Sequence, residues 1–506
     1  MKIERTKNTV RNIGAGAVNR VINIILPFFT RTALLYIMGT KYLGLNSLFT
    51  SILSFLSLTE LGVGGAMIYS MYKPIARNDN ETICALLNLY RKLYRIIGTV
   101  VLCLGLAIMP FLGKLIKDEI PADINLYVLY FIYLINAVLS YWLFAYKNAL
   151  LQAHQREDVN SNIASIIVPA SYAVMLTTLF ITKNYYAYVV WLPIFTSITN
   201  LIRSVYVDRH FPELKPKGEI SKELKTSISK KVAALIGTKL NTIVLNASDN
   251  LIMSAFLGLT VIAMYGNYLY IFTSICGFVG IIYGSMTAGL GNSLQTETTE
   301  KNYNDFKKLS FMNSWIVGWC TVCLACLYQP FMRIWVGDEL MFPYYVVVEI
   351  CVYFYIYMTR KIPVVYKDAA GIWWEDRFRP YVCMVVNVVF NILLVQVIGI
   401  SGIILSTVFS LMISVPWENY TIFKYVFHRS SAEYYGKMFM YAGTMFLGGL
   451  LTYWLCSLLG DGIPALLLRG VVCVIVPNVV FIALNFRRKE FADTTAMLKR
   501  ILKRQF

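Results

Sequence analysis

Two sets of residues far apart in the chain share one spacing and one chemistry. Arg20, Asn23, Pro27 and Arg31 follow one another at steps of three, four and four, and so do Lys239, Thr242, Asn246 and Asn250. On an α-helix such steps keep side chains on one face. Each set opens with a cation, and each lies in an apolar run; the first reads "NRVINIILPFFTRTALLYIMG". A charge at such depth in hydrocarbon is costly. Extension of a long side chain to the interface would accommodate Arg20 or Lys239 alone. Arg31 shares the face of Arg20 within about 20° and lies about 16 Å farther along, where it would have to extend outward instead. Two polar, basic walls facing an internal, water-filled cavity account for both sets.

Acids also fall within apolar runs: Glu60 in "LTELGVGG", Asp249 in "NASDN" and Glu418 in "VPWENY". A buried acid needs a cation partner or a proton. Two readings stand for these three: structural ion pairs with the cavity cations, or a coupling site for H+ or Na+. Basic clusters flank other runs, with Arg91, Lys92 and Arg95 in "YRKLYRIIG" and Lys147 and Arg156 in "YKNALLQAHQRED". They read as positive-inside residues, and Arg91, Arg95 and Lys147 are candidates for holding an anionic headgroup at a cytoplasmic entry. No catalytic group, metal or cofactor is expected. Cys320, Cys323 and Cys326 in "WCTVCLAC" are spaced like an iron–sulfur run, but sit in an apolar helix with no fourth ligand nearby in sequence, and read as packing residues. His154, His210 and His428 are too scattered for a metal site.

These residues must be positioned by membrane spans. The chain has 506 residues, of which 57% are hydrophobic and 15% charged; the mean hydropathy is +0.59. A hydrocarbon core of about 30 Å needs about 20 helical residues. Runs of that length predict an all-α polytopic membrane protein with about fourteen spans: 13–38, 44–70, 86–113, 124–147, 160–182, 185–207, 232–257, 261–291, 310–330, 342–366, 380–399, 402–425, 438–459 and 463–485. Alternate connections, counted from the N-terminus, hold about 37 of the 46 Lys and Arg, against about five on the other side. That asymmetry predicts cytoplasmic N- and C-termini, and it assigns the net charge of +18 to membrane-facing loops instead of nucleic-acid binding. No cleaved signal peptide is expected, because the first apolar run is long, charged and without a small-residue cleavage site.

The longest connection, "DRHFPELKPKGEISKELKTSISKK", divides the chain into an N-lobe of six spans (1–207), a basic linker (208–231), a C-lobe of six (232–425), and two last spans with a tail (426–506). The tail, "NFRRKEFADTTAMLKRILKRQF", reads as a basic amphipathic helix at the membrane surface. Leu43-Gly44-Leu45 and Leu257-Gly258-Leu259 follow the first span of each lobe. With the two polar stripes they suggest an internal duplication, an arrangement that in transporters places substrate at the repeat interface.

Four stretches carry a resemblance over nearly the whole chain: "GLNSLFTSILSFLSLTELGVGGAMIYSMYKPIA", "SDNLIMSAFLGLTVIAMYGNYLYI", "GLGNSLQTE" and "DAAGIWWEDRFRPYVCMVVNVVFNILLVQVIGISGIILSTVFS". They resemble the polysaccharide transport family of O-antigen and capsule repeat-unit flippases, in the multidrug/oligosaccharidyl-lipid/polysaccharide exporter (MOP) superfamily. The resemblance implies two six-helix lobes around a central cavity in a bacterial plasma membrane. It implies alternating access for an oligosaccharide linked to undecaprenyl diphosphate, without catalysis. Polysaccharide polymerase and glycosyltransferases would be partners. Coupling would be to an H+ or Na+ gradient or to the membrane potential. The resemblance places Arg20, Arg31 and Lys239, with Asn23, Asn246 and Asn250, where cationic and polar cavity residues would hold the diphosphate. Two rivals remain. One is an organic-cation antiporter of the same superfamily, whose cavity should be rich in acids and aromatics. The other is a membrane polymerase or glycosyltransferase, which needs a larger outer loop than any of these connections provides.

Overall fold

The computed structural model describes residues 5–60 and 63–496, and their regular structure is helical throughout. The chain divides into two compact units, residues 1–263 and 264–506. The first contains α1 (Arg5–Ile37), α2 (Thr40–Leu56), α3 (Val63–Ala76), α4 (Asn80–Ile108), α5 (Leu126–Trp142), α6 (Asn148–Ala153), α7 (Glu157–Thr182), α8 (Tyr185–Val189), α9 (Trp191–His210) and α10 (Lys222–Phe256). α11 (Leu259–Thr296) runs from the first unit into the second. The second continues with α12 (Thr299–Val336), α13 (Tyr344–Thr359), α14 (Lys361–Ala370), α15 (Arg379–Ile398), α16 (Ile400–Ile422), α17 (Ala432–Ser457) and α18 (Ile463–Asn485).

Among the described residues, ten helices are long and apolar enough to cross a membrane, or eleven if the bent pair Leu126–Trp142 and Ala145–Ala153 is one span. Each expected segment falls largely on helix among the described residues, yet the expected fourteen exceeds this number. The segments at 44–70 and 342–366 are each broken into two helices too short to qualify, α2 with α3 and α13 with α14. The segment at 232–257 lies on α10, part of whose side chains fall outside the described ones. Of the basic tail, residues 489–496 are helical and 497–506 lie outside the described residues.

Helix starts are set by side-chain caps that satisfy orphan backbone N–H groups. Asp79 accepts from Thr82 N at the start of α4, Asn125 from Tyr127 N and Val128 N at α5, Ser221 from Leu224 N at α10, and Thr298 from Lys301 N at α12. Large apolar side chains point away from the protein on the long helices. Val385, Val389, Leu393 and Val397 of α15, and Leu467, Val471, Val474 and Val479 of α18, are all exposed, as faces toward lipid would be. The polar groups lie between helices instead, where they substitute for the hydrophobic effect that lipid does not supply. Asn387 and Asn391 of α15 are fully buried, and bond to Thr407 and Ser406 of α16. Gly402 lets α16 approach so closely that a Cβ there would overlap the α15 backbone at Leu394.

The two Leu-Gly-Leu stretches are not equivalent in the structure. Gly44 is inside α2, not in a turn. The turn glycines are Gly39, between α1 and α2, and Gly258, between α10 and α11, at φ +95° and +96°. The offset that carries Arg20 onto Lys239 also carries Gly39 onto Gly258, so the polar stripes and the turns share one alignment. The two turns also meet. Gly44 abuts the backbone of Leu259 so closely that no Cβ would fit, and the hydroxyls of Thr40 and Thr260 lie 3.5 Å apart. Asp118 completes the corner, its carboxylate accepting from Leu259 N at 2.7 Å and Thr260 N at 3.4 Å.

Candidate functional site

The first unit encloses a cavity of about 710 Å³, within the range of sites for sizeable organic ligands. The break between α2 and α3 creates one wall. Ser57–Glu60 forms a tight turn of 3₁₀ helix, and this turns the Glu60 carboxylate toward α4. There Tyr94 OH donates to Glu60 Oε1 at 2.5 Å, and Tyr90 OH donates to Tyr94 OH at 2.6 Å. Tyr141 of α5 packs against Tyr94 and also lines the cavity. The wall is therefore a carboxylate set in phenols. Gly64 keeps the neighbouring face of α3 open, since a Cβ there would stand 3.1 Å from Tyr90 OH.

Across the cavity, α9 contributes Thr196, Thr199, Asn200 and Arg203. Arg203 is half-buried, and its Nε makes no hydrogen bond among the described residues. Neither Arg203 nor these tyrosines are among the residues the sequence singles out. The available signal was spacing: Thr196, Thr199, Asn200 and Arg203 fall at helical intervals on one face. An acid with phenols on one wall and a cation with hydroxyls and amides on the other can take a proton or cation at the first and an anionic or sugar-like group at the second.

The residues expected on the α1 stripe separate. Arg20 and Asn23 are exposed; Asn23 Nδ2 bonds back to Asn19 O and Oδ1 at 2.8 and 2.9 Å. Arg31 is half-buried and donates through Nη2 to the Ala263 carbonyl at 2.9 Å, joining α1 to the start of α11. On α10, the side chains of Lys239 and Asn246 lie outside the described ones. Asn250 Nδ2 donates to Ser51 Oγ of α2 at 2.8 Å, and Asp249 is half-buried beside it.

The candidate entry cations are used unequally. Lys147 is buried; its Nζ donates to Ser204 Oγ at 2.7 Å and to both Asp208 oxygens at 2.6 and 2.7 Å. That ion pair anchors the sharp turn after α5, where Phe144 takes a left-handed conformation at φ 56°. Arg91 bonds to Asn88 Oδ1 at 3.0 Å, whereas Arg95 is exposed.

Glu418 lies in the second unit, only 1% exposed. Arg379 Nη1 is 3.1 Å from it and Arg360 Nε 3.7 Å. Arg379 also bonds to Asp376 at 2.8 Å, and Asp376 takes Lys367 at 2.6 Å. Three cations and two acids thus share one buried cluster, with Ser414 Oγ accepting from Arg379 at 2.8 Å. Glu418 thus sits in an ion-pair cluster in which its own cations come from α15 and from Arg360 at the α13–α14 junction, not from the α1 and α10 stripes.

Among solved structures, the chain is similar to the lipid II flippase MurJ in an inward closed conformation. The TM-score is 0.61 at 13% identity, over 94% of this chain and 98% of that one. It is similar to an outward-facing multidrug resistance MATE family transporter of the MOP superfamily, with a TM-score of 0.55 at 14% identity over 83% and 95%. It is also similar to a eukaryotic MATE transporter, with a TM-score of 0.56 at 10% identity over 82% and 96%. Comparison with protein-family models and with curated proteins gives no match. At these identities the likeness is one of fold: an all-helical membrane fold shared with MOP-type transporters.

Proposed function

We propose that this chain, with the fold of a MOP-type membrane transporter, is a flippase for undecaprenyl-diphosphate-linked oligosaccharide repeat units in cell-surface polysaccharide synthesis. It would move them from the inner to the outer leaflet of a bacterial plasma membrane by alternating access, with both termini cytoplasmic. Polymerase and glycosyltransferases acting on the same lipid-linked sugar would be its partners.

The observation that carries this reading is coverage. The lipid II flippase fold accounts for 94% of the chain, while the two MATE structures leave nearly a fifth of it unmatched. The resemblance in sequence to repeat-unit flippases points the same way. The cations fit the chemistry as well: a diphosphate is matched by a guanidinium fork, and Arg20 is exposed on α1 with no fixed partner among the described residues.

A second reading, an organic-cation antiporter, is favoured by one observation. Glu60 among Tyr90, Tyr94 and Tyr141 is the acid-and-aromatic lining that such a substrate uses. The two readings separate in cells. Loss of a flippase should trap lipid-linked oligosaccharide in the inner leaflet; loss of an antiporter should change drug sensitivity alone.

Charge reversal tests the diphosphate track. Arg20→Glu should abolish polysaccharide export with the protein's melting temperature unchanged, because Arg20 is exposed. Lys239→Glu should abolish export too. Arg31→Glu should cost both export and stability, since Arg31 also holds Ala263. Normal export by all three variants would overturn the assignment.

A further inference from the structure

Cysteines that are distant in sequence converge in the second unit. Cys326 of α12, Cys456 of α17 and Cys473 of α18 are all buried. Their sulfurs all lie within 4.8 Å of one another, and Cys456 Sγ and Cys473 Sγ are 4.0 Å apart. Cys323, one turn before Cys326 on the same face of α12, packs against the group, its Sγ 3.8 Å from the Cys473 carbonyl. The "WCTVCLAC" run lacks a fourth ligand only along the chain; in space, two other helices bring thiols to it. This is the one such cluster of ligand side chains among the described residues.

We infer that Cys326, Cys456 and Cys473 form a binding site for a thiophilic d¹⁰ metal ion, such as Zn2+, Cu+ or Cd2+, with Cys323 within reach as a fourth ligand. Metal–thiolate bonds of about 2.3 Å place sulfurs about 3.8–4.0 Å apart around the ion, so the observed spacing needs little adjustment. Soft sulfur ligands select such ions. Cysteines serving only to fill apolar space have no reason to converge from three helices, and no other three ligand side chains do so among the described residues. A path to the site exists: a small cavity of about 190 Å³ reaches Cys326 and Cys456, and Gln329, Ser457, Asp461 and Arg469 line its polar end.

Charge is provided for as well. Each ligating thiol releases its proton to solvent on binding, leaving the filled site negative. Arg469, one turn before Cys473, is held beside it by bonds from Nε to the Cys456 carbonyl at 3.2 Å and from Nη2 to the Leu459 carbonyl at 2.7 Å.

The test is a Cd2+ titration of the reduced, full-length protein in detergent. It is followed by the sulfur-to-cadmium charge-transfer absorption and by counting alkylated cysteines. One ion per chain should bind and should protect Cys326, Cys456 and Cys473 from alkylation. Cys326→Ser, Cys456→Ser and Cys473→Ser should each weaken binding by about tenfold or more, since even an outer-shell partner is worth that much. Cys84→Ser and Cys351→Ser should leave it unchanged. Titration of the wild-type protein decides the matter even if a variant misfolds. If all ten cysteines remain alkylatable under Cd2+, the site does not exist. If Cys456 and Cys473 are recovered as a disulfide and the reduced protein takes up no Cd2+, the pair is a redox couple and the inference fails.

Discussion

At Asp376 one carboxylate answers two cations, Lys367 and Arg379, inside a cluster that is nearly dry. Removing one member of a buried ion pair leaves the rest uncompensated, at a cost of about 3–5 kcal/mol. Asp376→Ala should therefore lower the melting temperature of the purified protein sharply, and more than Arg95→Ala, which changes an exposed cation. Glu60 poses the opposite case. Glu60→Gln keeps an oxygen for the Tyr94 hydroxyl, so the variant should fold normally. If Glu60 carries the coupling proton, proteoliposomes bearing this variant should lose transport driven by an imposed pH gradient, while export driven by substrate concentration alone persists. Loss of both modes would assign Glu60 to substrate binding instead. Glu60 and Glu418 could be singled out in the sequence because an acid in an apolar run is conspicuous. Their partners could not: Arg379 and Arg360, which flank Glu418, sit at span ends, where a loop cation and a buried one look alike until the helices are packed.

The two helical corners at Gly39 and Gly258 are each held by a glycine. Gly39 and Gly258 share a φ near +95°, and at Gly39 ψ is 178°, a conformation that costs a residue with a Cβ about 1–3 kcal/mol. Around Gly39 there is open space, so Gly39→Ala should cost about that strain alone. At Gly258 a Cβ would run into the Asp118 carboxylate, which also caps Leu259 N. Gly258→Ala should therefore destabilise the protein clearly more than Gly39→Ala, as measured by thermal unfolding in detergent; equal effects would refute the role given to Asp118. The offset between the polar stripes is also the offset between the two turn glycines, because helical periodicity is a property of the element. The Leu-Gly-Leu match misled because those three residues do different work in each copy, inside a helix at Gly44 and in a turn at Gly258. Breaks within spans were harder to read. Nothing in "LSLTELGVGG" separates a kinked helix from one interrupted by 3₁₀ structure, and that interruption is what aims Glu60.

For the molecule as a whole, a substrate bearing a diphosphate couples transport to voltage. An inside-negative potential assists outward movement of each negative charge by about 2.3 kcal/mol per 100 mV. Under the proposed function, collapsing the potential in energised vesicles should slow outward translocation of the lipid-linked sugar, and restoring it should recover the rate. An uncharged lipid analogue should show no such dependence. Hydropathy and loop charge made the all-helical class legible, because hydrocarbon thickness and backbone satisfaction leave few other solutions. The cavity in the first unit was not legible, because it is assembled from six helices whose lining residues are individually ordinary. The last two helices have a different standing from the others. α17 and α18 pack on each other and on α12, joined there by the aromatic cluster of Phe311, Tyr441 and Phe481 and by the cysteines. Both follow α12 in the chain and leave the ribosome after it. The nascent chain must therefore keep one flank of α12 vacant in the bilayer until this hairpin arrives, and arrival of the hairpin, not insertion of α12 itself, becomes the moment at which that flank is sealed.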